Sequence, residues 1–113
     1  MNEYRNLNKT LIIKVDNSKR YCYFFQTSSK KMLKINLKDA RMVFKNIGKR
    51  IFEIKSSIGR IYIQVSNVDN FGNHHIFASA NCINAYIKSS EIKKILYLLT
   101  GEEKCSQLKG GEV

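Results

Sequence analysis

The chain has 113 residues, 43% of them hydrophobic and 26% charged, enough for one modest core and a soluble surface but not for two independent domains. It contains no Pro and no run of about 18 apolar residues, which argues against a disordered or linker-rich chain and against a membrane-spanning helix. Lys plus Arg number 20 against 9 Asp plus Glu, a net charge of +11, and residues 1–60 carry the whole excess; a field concentrated in half of a small domain attracts a polyanion.

Taken in order, most segments alternate with period two. "LIIKV" (11–15) reads as a strand followed by the turn "DNSK". "RYCYFFQT" (20–27) reads as a second, aromatic strand. After the turn "SSKK", "MLKINL" (32–37) alternates with Leu33, Ile35 and Leu37 on one side. The period then changes. Ala40, Val43, Phe44 and Ile47 follow helical spacing, opened by Asp39 and closed by Gly48, which predicts an amphipathic helix over 38–47. Strands resume at "RIFEIKS" (50–56) and "GRIYIQVSN", separated by a turn at Ser57, Ile58 and Gly59. "VDNFG" (68–72) reads as a loop and "NHHIFASA" (73–80) as a further strand. "CINAYIK" is compatible with strand or helix. The last element places Ile92, Ile95, Leu96 and Leu99 on one helical face, with Ser89 or Ser90 as N-cap and Gly101 as the stop. The polar tail from Glu102 is expected to fray.

Strands followed by an amphipathic helix thus occur twice, in segments of about 10–48 and 50–101, an α+β arrangement. A shift of 52 residues superposes the two helical patterns, whereas a shift of 40 lays "KRYCYFFQ" over "GRIYIQVS", with Arg20 on Arg60. The two registers conflict.

The strand after Gly59 has two faces. Ile61, Ile63 and Val65 suit a core, while Arg60, Tyr62 and Gln64 form an open face bearing a cation, a ring and an amide. Single-stranded nucleic acid is held by cations along its phosphates and by flat rings under its bases. In 20–27 either the Tyr21, Tyr23 and Phe25 set or the Cys22 and Phe24 set is core. The shift of 40 assigns Arg20, Cys22, Phe24 and Gln26 to the open face, making Phe24 a stacking candidate. Lys14, Lys34, Asn36 and Lys38 lie opposite apolar positions of their strands, and Lys19, Lys30, Lys31, Lys49 and Arg50 cluster in turns; these suit phosphate contacts.

"FEIKSSIGRIYIQV", then "VDNFGNHHIFASA", then a helix, resembles a repeat of the PUR family of purine-rich-element-binding proteins, with Lys55, Gly59 and Arg60 matching a strand ending in Lys and a Gly-Arg opening the next. Ser57 stands where that family has Asn. "IKVDNSKRYCYFF" supplies Asn17, Lys19 and Arg20 but has Asp16 in place of the Lys and no turn Gly. The Whirly and positive-cofactor coactivator folds share a similar sheet-plus-helix unit. The resemblance implies two intertwined sheet-plus-helix repeats forming one domain over 1–101, and single-stranded DNA or RNA binding with a place in transcription or nucleic-acid metabolism.

Other chemistry finds little support. Adjacent His74 and His75 point to opposite strand faces and share no ligand spacing with a Cys or carboxylate, so no metal or other cofactor is expected. No nucleophile elbow, phosphate loop or carboxylate pair is present, so no enzyme is expected. Cys22, Cys82 and Cys105 read as reduced thiols, and the polar N-terminus lacks a secretory core, which together suggest an intracellular (cytoplasmic or nuclear or nucleoid) protein without membrane attachment. Unpaired strand edges leave a homodimer open. The competing reading is a non-enzymatic interaction or structural subunit that docks through its basic half.

Overall fold

A computed structural model describes residues 3–79 and 82–101. The chain is α+β: an eight-stranded antiparallel sheet whose strands pair strictly in chain order, with two short helices. The strands are β1 (Glu3–Arg5), β2 (Leu11–Val15), β3 (Tyr21–Gln26), β4 (Lys31–Asn36), β5 (Phe52–Ser56), β6 (Gly59–Val65), β7 (Asn73–Ala78) and β8 (Ile83–Lys88). Helix α1 (Leu37–Lys45) follows β4 directly, and α2 (Ile92–Thr100) follows β8 through a 3-10 turn at Ser89–Glu91. "CINAYIK" therefore resolves to strand from Ile83. β1 lies in a polar stretch too short to show any alternation, and only its pairing with β2 makes it a strand.

Each strand sends one face into the core. Leu11, Ile13 and Val15, then Leu33 and Ile35, then Ile61, Ile63 and Val65 are buried, as their alternation requires. In β3 the buried set is Cys22, Phe24 and Gln26. Phe24 stacks on Phe44 of α1, with ring centroids 6.4 Å apart. The open face of β3 therefore carries Tyr21, Tyr23 and Phe25, which corrects the assignment by the shift of 40. That shift lays the third strand of the chain over the sixth and pairs buried Cys22 with exposed Tyr62.

α1 begins at Leu37, whose amide donates to Arg20 O at 2.9 Å, and buries Leu37, Ala40, Val43 and Phe44. Its end is capped by Asn46, whose Nδ2 donates to Met42 O at 2.7 Å. Gly48 adopts a left-handed φ of 72° against Asn67, whose amide oxygen would lie 2.0 Å from a Cβ there. α2 stops at left-handed Gly101, whose amide donates to Tyr97 O. The two helices pack together, and Arg41 Nε donates to Leu99 O at 2.6 Å. No described helix is long and apolar enough to cross a membrane.

The sheet narrows in its middle. β4 and β5 pair through Ile35 and Ser56, reinforced by the Ser57 amide and hydroxyl on Lys34. It thus works as two four-stranded sheets joined at a seam. Its ends are closed by side chains: the Asn84 amide donates to Gln26 Oε1 at 2.6 Å, and Asn6 Nδ2 donates to Tyr86 O at 3.1 Å. These contacts bring β8 against the first sheet and occupy edge groups of β8 that would otherwise invite another strand.

Candidate functional site

The face of the sheet opposite the core follows from register. Across the first sheet, Glu3, Lys14, Tyr23 and Lys34 form one row and Arg5, Ile12, Phe25 and Met32 the next. Across the second, Lys55 pairs with Arg60, Glu53 with Tyr62, Gln64 with Phe77 and Asn84, and His75 with Tyr86. By this alternation the described outer face carries six cations (Arg5, Lys14, Lys34, Lys55, Arg60 and Lys88) against two carboxylates, Glu3 and Glu53. Each carboxylate lies 3.9 Å from a cation, Glu3 from Lys14 and Glu53 from Arg60. Both pairs are exposed and so weakly held, leaving the cations available to a phosphate.

Three features shape this face. On the first sheet a groove of 660 Å³ has Ile12, Tyr23, Phe25 and Met32 among its lining, with Arg5 and Lys14 beside them. At the seam a smaller hollow of 290 Å³ is lined by Tyr21, Lys34, Asn36, Lys55 and the Ser56–Ser57 turn. Lys34 Nζ sits 4.2 Å from the centre of the Tyr21 ring, a cation–π contact that holds both side chains in the hollow. On the second sheet Tyr62, Phe77 and Tyr86 are 55%, 41% and 48% exposed. His75 stacks on Tyr86 with centroids 4.7 Å apart, and its Nε2 lies 2.6 Å from Asn84 Oδ1. His74, by contrast, turns inward, donating through Nδ1 to Ser66 O at 2.9 Å. The two histidines thus part to opposite faces, as their adjacency in one strand demands.

Of the residues singled out in the sequence, Lys14, Lys34, Asn36, Lys55, Arg60, Tyr62 and Gln64 share this outer face, and Asn17 borders the larger groove. Arg20 is exposed in the turn before β3 but has the parity of the inner face. Lys19 lines a separate groove with Arg41 and Lys94 beside the helices. Phe24 is in the core, because a fully buried ring stacked on Phe44 has no route to a ligand. Phe25, Met32, Phe77 and Tyr86 were not among the candidates, whereas Tyr23 was one only if the tyrosines of β3 faced outward, and His75 only as the histidine on the open face. Period-two alternation identifies them only once the inward partners Phe24, Ile76 and Ala85 are known, and the sequence leaves that choice open in β3. Cys22 and Cys82 are buried and unpaired in any disulfide, and burial pushes the Cys22 thiol far above its usual range; Cys105 lies outside the described residues.

No protein-family model, curated protein or solved structure matches the chain.

Proposed function

We propose that the protein binds single-stranded DNA or RNA on the outer face of its sheet, without catalysing a reaction. The observation that carries this reading is the alternation of half-buried and exposed rings with cations along that face: Tyr23 beside Lys34, Lys34 over Tyr21, Lys55 beside Arg60, and Arg60 one turn of the pleat from exposed Tyr62. Cations neutralise phosphates without regard to sequence, and rings stack any base, each stack worth roughly 1–3 kcal/mol. The amides of Asn36, Gln64 and Asn84 add hydrogen-bonding groups for base edges. Transcription or another step of nucleic-acid metabolism would follow from such binding. The similarity of the Lys55–Arg60 segment to a PUR repeat supports the same reading.

The test is a titration of labelled oligonucleotides at several salt concentrations. Affinity should fall linearly on a log–log plot, with a slope near −0.7 per phosphate contact for a single strand. Arg60→Ala should make that slope shallower, and Tyr62→Ala should weaken binding by about 5- to 100-fold at unchanged slope. A chain that binds no oligonucleotide at low salt is not a nucleic-acid-binding protein, and its basic half would then serve docking on another macromolecule.

We propose further that the two four-strand-plus-helix halves are copies of one unit. At a shift of 52, four buried pairs fall in step across β3, β4, β7 and β8: Cys22 with His74, Phe24 with Ile76, Leu33 with Ala85 and Ile35 with Ile87. The helices start 55 residues apart because the 3-10 turn Ser89–Glu91 precedes only the second. Homologous sequences should keep these pairs inward in both halves, and independent drift of the two registers would overturn the duplication.

A further inference from the structure

We infer that one polynucleotide strand crosses the seam obliquely to the protein strands and binds both sheets at once, so that the site has a minimum length. This rests on the reading of the outer face as a nucleic-acid surface and adds to it a path. The groove on the first sheet and the hollow at the seam meet along β3, because Tyr23 belongs to one and Tyr21 to the other. Lys34 links them, paired in register with Tyr23 and lying over the Tyr21 ring. From the hollow the path continues through Lys55 to Arg60 and then turns along β6 to Tyr62, with Phe77 of β7 further along in the same direction.

The order of chemistry along this line suits a single strand. A ring platform (Tyr23, Phe25) is followed by a cationic stretch (Lys34, Lys55, Arg60) and then by a second ring platform (Tyr62, Phe77, Tyr86). Glu53 is the described carboxylate beside the cationic stretch, and its charge is already matched by Arg60. Bases occupy the platforms and the intervening phosphates occupy the seam. Duplex DNA presents no free ring faces to such platforms and fits only the cationic stretch.

Spacing sets the length. At roughly 4.8 Å per strand and 3.3 Å per residue, Tyr23 and Tyr62, three strands and four residues apart in register, lie about 20 Å apart along the surface. At about 3.4 Å per stacked nucleotide, this span corresponds to roughly six nucleotides. A trinucleotide reaches one platform, whereas a longer strand reaches both. The second contact is then intramolecular, which multiplies affinity by about 10² to 10⁴.

The experiment titrates the full chain with labelled oligothymidylate of about three, six and twelve nucleotides at one low salt concentration, with oligouridylate in parallel to separate DNA from RNA. Affinity should rise at least 100-fold between the shortest and longest strand, at one strand per protein. Tyr23→Ala with Phe25→Ala, and separately Phe77→Ala with Tyr86→Ala, should each reduce the longest strand to near-trinucleotide affinity. An affinity that grows only in proportion to length, two long strands bound per protein, or a platform whose loss changes nothing would overturn the spanning path while leaving nucleic-acid binding intact. The length series on the unmutated chain decides the matter even if a variant fails to fold. Failure to bind any strand would instead overturn the underlying reading.

Discussion

Neighbouring residues of β3 have opposite duties. Phe24 is fully buried against Phe44, whereas Tyr23 lies one position away on the outer face. Replacing Phe24 with Ala empties a ring-sized volume in the core and should cost about 3–5 kcal/mol, a large share of the stability of a small domain. Replacing Tyr23 with Ala should cost about 1 kcal/mol or less, since it loses only cross-strand contacts, but should weaken nucleic-acid binding. Chemical denaturation of both variants, alongside oligonucleotide titration of the second, checks the division. Equal destabilisation by the two changes would mean that β3 does not present the face described. The sequence left this point open because both alternating sets of "YCYFFQ" are apolar enough to be core, and a slip of one residue exchanges them.

Two of the turns that join the elements are each held by a carboxylate. Asp16 Oδ1 accepts the amides of Arg20 and Tyr21 at 2.9 and 3.0 Å, and its other oxygen accepts the Ser18 hydroxyl. Asp69 Oδ1 accepts the amides of Phe71 and Asn73 at 2.8 and 3.0 Å. The Ser18 hydroxyl and then the Tyr21 amide hold Asp16 below the usual carboxylate range, and the Asn73 and then the Phe71 amide do the same for Asp69. A depressed carboxyl stabilises the fold above its unfolded value, near 4, and that contribution is lost as pH falls through the lower folded value. Thermal melts between about pH 6 and pH 2 should therefore show a loss on the acid side that becomes shallower in Asp16→Asn and Asp69→Asn. Unchanged acid slopes in both variants would show that these turns carry none of the acid sensitivity. The strands and helices either side of these turns were readable to within two residues where their alternation was unbroken. The conversion of "CINAYIK" to strand was not, because a seven-residue segment fits either period until β7 pairs with it.

Across the whole molecule, Glu91 ties the two ends of the described chain together. Its carboxylate is 3% exposed and accepts the Leu7 amide at 2.9 Å, the Lys88 amide at 2.8 Å and the Tyr4 hydroxyl. Burial, and after it the Glu91 hydrogen bond and charge, pushes the Tyr4 phenol far above its ordinary value. Three donors converging on one buried carboxylate fasten β1 to the start of α2, which β1, at three residues, could not achieve by pairing alone. Glu91→Ala leaves those donors unsatisfied and should destabilise the protein by about 3 kcal/mol. Hydrogen exchange at Leu7 and Lys88 should accelerate more than exchange in β3 and β4, and uniform acceleration throughout would show that Glu91 acts only on global stability.

The amino-acid sequence by itself determined the α+β class, the inward faces of β2, β4 and β6, both helices and the basic bias of the first half, because local periodicity and charge need no partner to be read. It also marked Arg60, Tyr62, Lys34 and Lys55 as outward. Only the tertiary structure decided which side of β3 is buried, since that choice depends on Phe44 and the helix behind it. It alone made β1 a strand, set the 3-10 turn before the second helix, and brought Tyr21 and Lys34 beside Lys55, 34 and 21 residues away in sequence, across the seam. A surface assembled from register between strands far apart in the chain exists only after the sheet has formed.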